Sequence, residues 1–84
     1  MEKICVLGLG YIGLPTALLL AKNGFQVYGV DTNREVIRKL SQDKIHFQEP
    51  GLADLFEDAK ANFIPSSNIC SADVFIIAVP TPLI

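Results

Sequence analysis

Hydrophobic positions along the chain alternate between short unbroken runs and stripes at helical spacing. The longest uncharged stretch, Ile4 to Ala21, covers eighteen residues, close to the roughly 20 that a membrane helix needs. Three glycines and Pro15 interrupt it between positions 8 and 15. Read in parts, Ile4-Cys5-Val6-Leu7 is a β-rich run of the kind buried on both faces of a parallel sheet. Tyr11 to Asn23 then favours helix, with Leu14, Ala17, Leu18 and Ala21 on one apolar stripe. Pro15 falls in the first turn, where a missing N–H costs little, and Asn23-Gly24 is a left-handed stop.

A second strand is predicted over Gln26–Val30, ending at Asp31. A helix over residues 32–42 follows, capped by Thr32 or Asn33, with Val36, Ile37 and Leu40 inward. Residues 43–50 read as a loop. A further helix over 51–63 places Leu52, Leu55, Phe56, Ala59 and Phe63 on one face, with Asp54 favouring its N-terminus. A short third strand starts at Phe63, where Pro65 restricts it to a strand end or a sheet edge. Val74–Val79 is the clearest buried strand, stopped by Pro80-Thr81-Pro82.

The order β-α-β-α-α-β-β predicts an α/β fold, a Rossmann-like parallel sheet with flanking helices, truncated after about four strands. Residues 1–84 are accordingly expected to form the N-terminal part of a dinucleotide-binding domain. Apolar surface on the last strand would then be left uncovered, and poor solubility is expected of the chain alone.

Composition narrows the function classes. Half the residues are hydrophobic and 19% charged, as in globular rather than disordered chains. Seven basic against nine acidic residues give a net charge of −2, with no basic stripe, so nothing points to a nucleic-acid partner. Glu2 cancels Lys3 and no A-x-A site follows the apolar run, which argues against a secretory signal, and the glycines argue against a membrane span. Cys5 and Cys70 lie 65 positions apart without metal-ligand spacing. Both read as structural thiols, and a reducing cytoplasm is the expected compartment. No metal site and no catalytic residue is expected in these residues.

The chemistry concentrates at Gly8-x-Gly10-x-x-Gly13. The pattern sits in the context its mechanism needs: a strand before, a helix after, then a second strand ending in an acid. Gly8 makes the tight turn, Gly10 lets a pyrophosphate approach the backbone, and Gly13 lets helix and strand pack closely. N–H groups around Tyr11 and Ile12 face an anion from a helix N-terminus. Asp31, 18 residues after Gly13, is placed to accept hydrogen bonds from the adenosine ribose and to repel a 2′-phosphate, so NAD is preferred over NADP. Arg34 either flanks the adenine or ribose or lies on a solvated helix face. Thr81 either reaches the cofactor from the end of the last strand or belongs to a rigid strand terminator. His46 stands alone in its loop and Glu49 precedes a helix start, and neither is assigned a chemical role.

Four stretches, "KICVLGLGYIGLPTALLLA", "VYGVDTN", "FQEPGL" and "ADVFIIAVPTP", resemble in order and spacing the N-terminus of the UDP-glucose/GDP-mannose dehydrogenase family. The "GYIGLPTA" and "VPTP" forms are most similar to its UDP-N-acetyl-mannosamine branch. The resemblance implies an NAD-dependent oxidation of a UDP-sugar C6 alcohol to a uronate, through a thioester on a catalytic cysteine. It implies NAD contacts at Gly8, Gly10, Gly13, Asp31 and Thr81, backbone contacts at Tyr11 and Ile12, and a basic contact near Arg34. It also implies a homo-oligomeric parent. The family's catalytic cysteine, its supporting lysine and asparagine, and its sugar-binding domain lie far downstream, so the 84 residues alone are expected to be inactive. Two other readings remain: the N-terminus of a different NAD-dependent dehydrogenase, which "EPGL" and "VPTP" disfavour, and a non-catalytic NAD-sensing module.

Overall fold

The computed structural model describes residues 2–78. Four strands, β1 (Lys3–Leu7), β2 (Gln26–Val30), β3 (Phe63–Ser66) and β4 (Val74–Ile77), form one sheet in the order β3-β2-β1-β4. Every pairing is parallel, with Cys5 opposite Tyr28 on one side and Phe75 on the other. Strand order therefore reverses at β1, whose neighbours β2 and β4 leave in opposite directions. In open α/β sheets ligands bind at such a point, beyond the carboxyl ends of the strands.

Helix α1 (Gly13–Lys22) turns its Leu14, Ala17, Leu18 and Ala21 into the core, the stripe expected from their spacing. It begins two residues later than the sequence predicts, because Tyr11 and Ile12 belong to the preceding turn. Gly24, at φ +99°, ends it, and Asn62 Nδ2 donates to the Ala21 carbonyl at 3.0 Å, satisfying one of its orphan acceptors. Helix α2 (Arg34–Ser41) is capped by Asn33, whose side chain accepts from Glu35 N at 3.0 Å. Helix α3 (Leu52–Ala59) packs on α1 through Leu52, Phe56 and Ala59. It gives way to a 3₁₀ turn at Lys60–Asn62, shorter than the predicted helix. Leu9, Leu14, Leu18 and Leu40 are among the largest fully buried side chains, each stabilising by about 1.5–3 kcal/mol relative to exposure.

β3 starts at Phe63 and lies at a sheet edge, as the sequence predicts, whereas β4 differs from expectation. β3 forms in spite of Pro65, which lies opposite Gly29 on an edge strand, where its missing N–H can face away from the sheet. Phe63 supplies the anchor by laying its ring over Gly29: a Cβ there would meet the ring at 2.5 Å. β4 is not the buried strand that its composition predicts. Val74, Phe75 and Ile77 are exposed and Ile76 half-buried, since β4 pairs with β1 alone among the described residues and no described helix covers its outer face. The predicted strand end at Val79 and the Pro80-Thr81-Pro82 stop lie outside the described residues.

Candidate cofactor site

The site is built on the turn between β1 and α1. Gly8 adopts φ +98°, a left-handed conformation that strains any residue with a Cβ, and its N–H donates to the Val30 carbonyl at 2.8 Å. The Leu9 side chain is fully buried and its N–H donates to Asp31 Oδ2 at 2.9 Å. Gly10 is exposed, and a Cβ built on it meets nothing within 4 Å. Leu14 N donates to the Gly10 carbonyl at 3.1 Å, opening the ladder of α1. No acceptor among the described residues takes the N–H groups of Gly10, Tyr11 or Ile12. Such orphan donors at a helix start are suited to an anion. Gly13 is different: a Cβ there would sit 1.7 Å from the Gly8 carbonyl oxygen, so glycine is required for the helix to pass this close to the turn.

Asp31 ties the ends of β1 and β2 together. Oδ2 holds Leu9 N, and Oδ1 accepts from Asn33 N at 2.9 Å in an Asx turn. A carboxylate offers about four lone-pair positions, so one on each oxygen remains for a pair of ligand hydroxyls. The half-buried carboxylate thus shapes the turn while keeping acceptor capacity.

A cleft of about 800 Å³ opens here, lined by Gly8, Gly10 and Asp31 together with Thr32, Asn68 and Ile69. Its size falls within the range of about 300–1,000 Å³ typical of small-molecule sites. Of the expected residues, the cleft wall thus gathers the first two glycines and the acid. Tyr11 and Ile12 continue the exposed turn, Gly13 lies under it, and Arg34 stands exposed at the start of α2 outside the cleft wall. Thr81 lies outside the described residues. A second groove, about 670 Å³, runs along α3 and its preceding loop. It is rimmed by Asp43, Glu49, Asp54 and Glu57, whose negative charge would repel a pyrophosphate.

Several contacts of the site were invisible to local pattern. His46 Nε2 lies 2.6 Å from the Leu9 carbonyl. Phe47 packs edge-on against His46, with ring centroids 4.8 Å apart, and against Tyr11 at 4.5 Å. The Tyr11 ring is therefore held by the loop after α2, while its backbone N–H has no acceptor among the described residues. Asn68 and Ile69 come from the segment after β3. These residues reach the turn across 36 or more positions, and only the fold brings them there.

Cys5 is fully buried, and burial pushes its thiol above the usual range. Among the described residues both cysteines are free thiols, no cluster of metal-ligating side chains occurs, and no helix is long and apolar enough to cross a membrane.

The family model described as UDP-glucose/GDP-mannose dehydrogenase family, NAD binding domain, matches residues 2–84. The chain belongs to that family. Its cofactor is NAD, and the glycine turn, open Gly10 and part-used Asp31 carboxylate fit a dinucleotide. Among curated relatives of this dehydrogenase family, a UDP-N-acetyl-D-mannosamine dehydrogenase of Methanococcus maripaludis is 45% identical over 84 residues, covering 98% of this chain and 20% of the relative. One of Campylobacter jejuni is 46% identical over 87 residues, with 96% and 20% covered. The UDP-N-acetyl-mannosamine dehydrogenase structure from Staphylococcus aureus superposes with a TM-score of 0.93 at 47% identity, over 96% of this chain and 20% of that one. The chain thus spans about a fifth of the length of these relatives.

Proposed function

We propose that residues 1–84 are the N-terminal part of the NAD-binding domain of a nucleotide-sugar 6-dehydrogenase, one that oxidises UDP-N-acetyl-mannosamine to its uronate. In this reading the sugar-binding and catalytic domains lie outside these residues. The observation that carries it is the glycine turn and Asp31 meeting in one cleft in a chain about 45% identical to UDP-N-acetyl-D-mannosamine dehydrogenases.

Each site residue has a role. The N–H groups of Gly10, Tyr11 and Ile12 bind the pyrophosphate, Gly8 and Gly13 permit the turn, and Asp31 receives the ribose hydroxyls. Arg34 stands near the adenosine end, and Thr81 contacts the cofactor from beyond β4. Free thiols at Cys5 and Cys70 favour a reducing cytoplasm, and the parent is a homo-oligomer by analogy with the family.

Bound NAD accepts a hydride; the residues described here bind and orient it. NADH titration followed by fluorescence tests the assignment. Asp31→Ala is expected to weaken binding by about 1.5–3 kcal/mol, the size of a hydrogen bond to a charged group. Unchanged affinity, or tighter binding of NADPH by the unsubstituted chain, would sink the ribose role. Mixed with UDP-N-acetyl-mannosamine and NAD, the 84-residue chain is expected to give no rise in absorbance at the NADH band. A sustained rise would overturn the placement of the catalytic residues elsewhere.

A further inference from the structure

His46 belongs to no part of the glycine fingerprint, yet it touches the centre of the turn. The Leu9 carbonyl can only accept, so the hydrogen in the 2.6 Å contact resides on His46 Nε2, which donates. The opposite ring nitrogen, Nδ1, is buried without a partner among the described residues. The side chain therefore makes a single directed hydrogen bond, and that bond is to Leu9.

In a trans peptide the C=O of one residue and the N–H of the next point in opposite directions, and no described peptide bond is cis. Fixing the Leu9 carbonyl on His46 consequently aims the Gly10 N–H away from the α2–α3 loop. The preceding peptide is fixed as well, through Leu9 N on Asp31 Oδ2. Gly10 itself has open space on its Cβ side and the broad backbone freedom of glycine, so nothing local prevents its N–H from turning. The two residues flanking it are each held by one of two adjacent loop residues: Leu9 by His46, and Tyr11 by the Phe47 ring.

We propose that His46 is a positioning residue of the cofactor site, holding the Leu9–Gly10 peptide so that the Gly10 N–H is presented to the NAD pyrophosphate. The proposal rests on the glycine turn being the pyrophosphate seat.

The test uses NADH titration of the 84-residue chain alongside its amide NMR spectrum. His46→Leu keeps bulk but removes the donor, and it is expected to weaken NADH and ADP-ribose about tenfold, the size of one hydrogen bond to a charged-site network. Adenosine, which lacks a pyrophosphate, should bind that variant as it binds the parent chain. His46→Gln, whose amide N–H can take the place of Nε2, should recover most of the affinity. The Gly10 amide resonance should shift on NADH addition in the parent and Gln chains but broaden or split in the Leu chain. Should the Leu variant not fold, His46→Asn replaces it: its shorter donor falls short of Leu9, and weaker NADH binding than Gln is expected. Equal NADH affinity in the Leu and parent chains, or in Asn and Gln, overturns the role, as does an equal loss of adenosine and ADP-ribose. No NADH binding by the parent chain would instead overturn the seat itself, and the role with it.

Discussion

Gly10 and Gly13 stand three residues apart in one motif but for opposite physical reasons. Gly13 is required by the fold, since a methyl group there would lie 1.7 Å from the Gly8 oxygen. Gly10 has nothing within 4 Å, so a methyl group costs the fold nothing and occupies space open to a ligand. Gly13→Ala is therefore expected to lower stability by about 3 kcal/mol, the upper end of overpacking costs, read as a shifted urea midpoint. Gly10→Ala should leave the midpoint in place and weaken NADH binding tenfold or more, roughly the worth of one obstructed hydrogen bond to a charged phosphate. A Gly10→Ala chain that unfolds earlier yet binds normally would reverse the assignment. Cys5 and Cys70 differ in the same way. Burial raises the Cys5 thiol and leaves it without exposure, whereas Cys70 is half-buried, so a thiol reagent should modify Cys70 first and Cys5 only on unfolding.

At the level of elements, short α2 depends on its ends. Asn33 caps it, Glu35 follows in the first turn, and Arg38 pairs with Glu35 one turn on. The Arg38 guanidinium holds the Glu35 carboxyl below its ordinary range. A lowered carboxyl contributes stability above its unfolded value and loses it as pH falls, but both groups are exposed and the pair is worth little. The cap matters more: Asn33→Ala is expected to cost about 1 kcal/mol, measured by chemical unfolding followed by circular dichroism. It also frees no bond of Asp31, because Asn33 contacts Asp31 through its backbone N–H. NADH affinity should consequently survive this substitution, and its loss would contradict the separation of cap from site.

At the scale of the whole sheet, the described residues leave one half well covered and the other bare. α1 and α3 pack together beside β1 and β2, while β4 exposes Phe75 and Ile77 on one face at alternate positions. Ile69, in the preceding loop, is also exposed. An apolar edge strand is a template for association. The 84-residue chain is expected to self-associate with rising concentration in sedimentation velocity, and Ile77→Lys with Phe75→Lys to shift it toward monomer. A monodisperse monomer at all concentrations, matched by the double variant, would show that this face is not what brings copies together.

Much of the architecture was legible in one dimension. Gly8, Gly10 and Gly13 between a strand and a helix, with an acid closing the next strand, are local arrangements dictated by backbone sterics and by the 2.0 and 3.6 residue periods. The same holds for the α1 stripe, the Asn33 cap and the Gly24 stop. The chain by itself therefore determined the α/β class, the order of elements and the place of the glycine turn. What only the tertiary structure decided involves partners far apart in sequence. Phe63 anchors an edge strand through the missing side chain of Gly29, so Pro65 does not prevent it from pairing. β4, the most strand-like run, is exposed because burial depends on what packs over a strand and not on its composition. His46, with no signal in its own neighbourhood, lies against the Leu9 carbonyl 37 positions away. Local propensity can say where a peptide turns, but the direction of its N–H groups is set by what grips the other side, and that grip exists only once the α2–α3 loop has folded back.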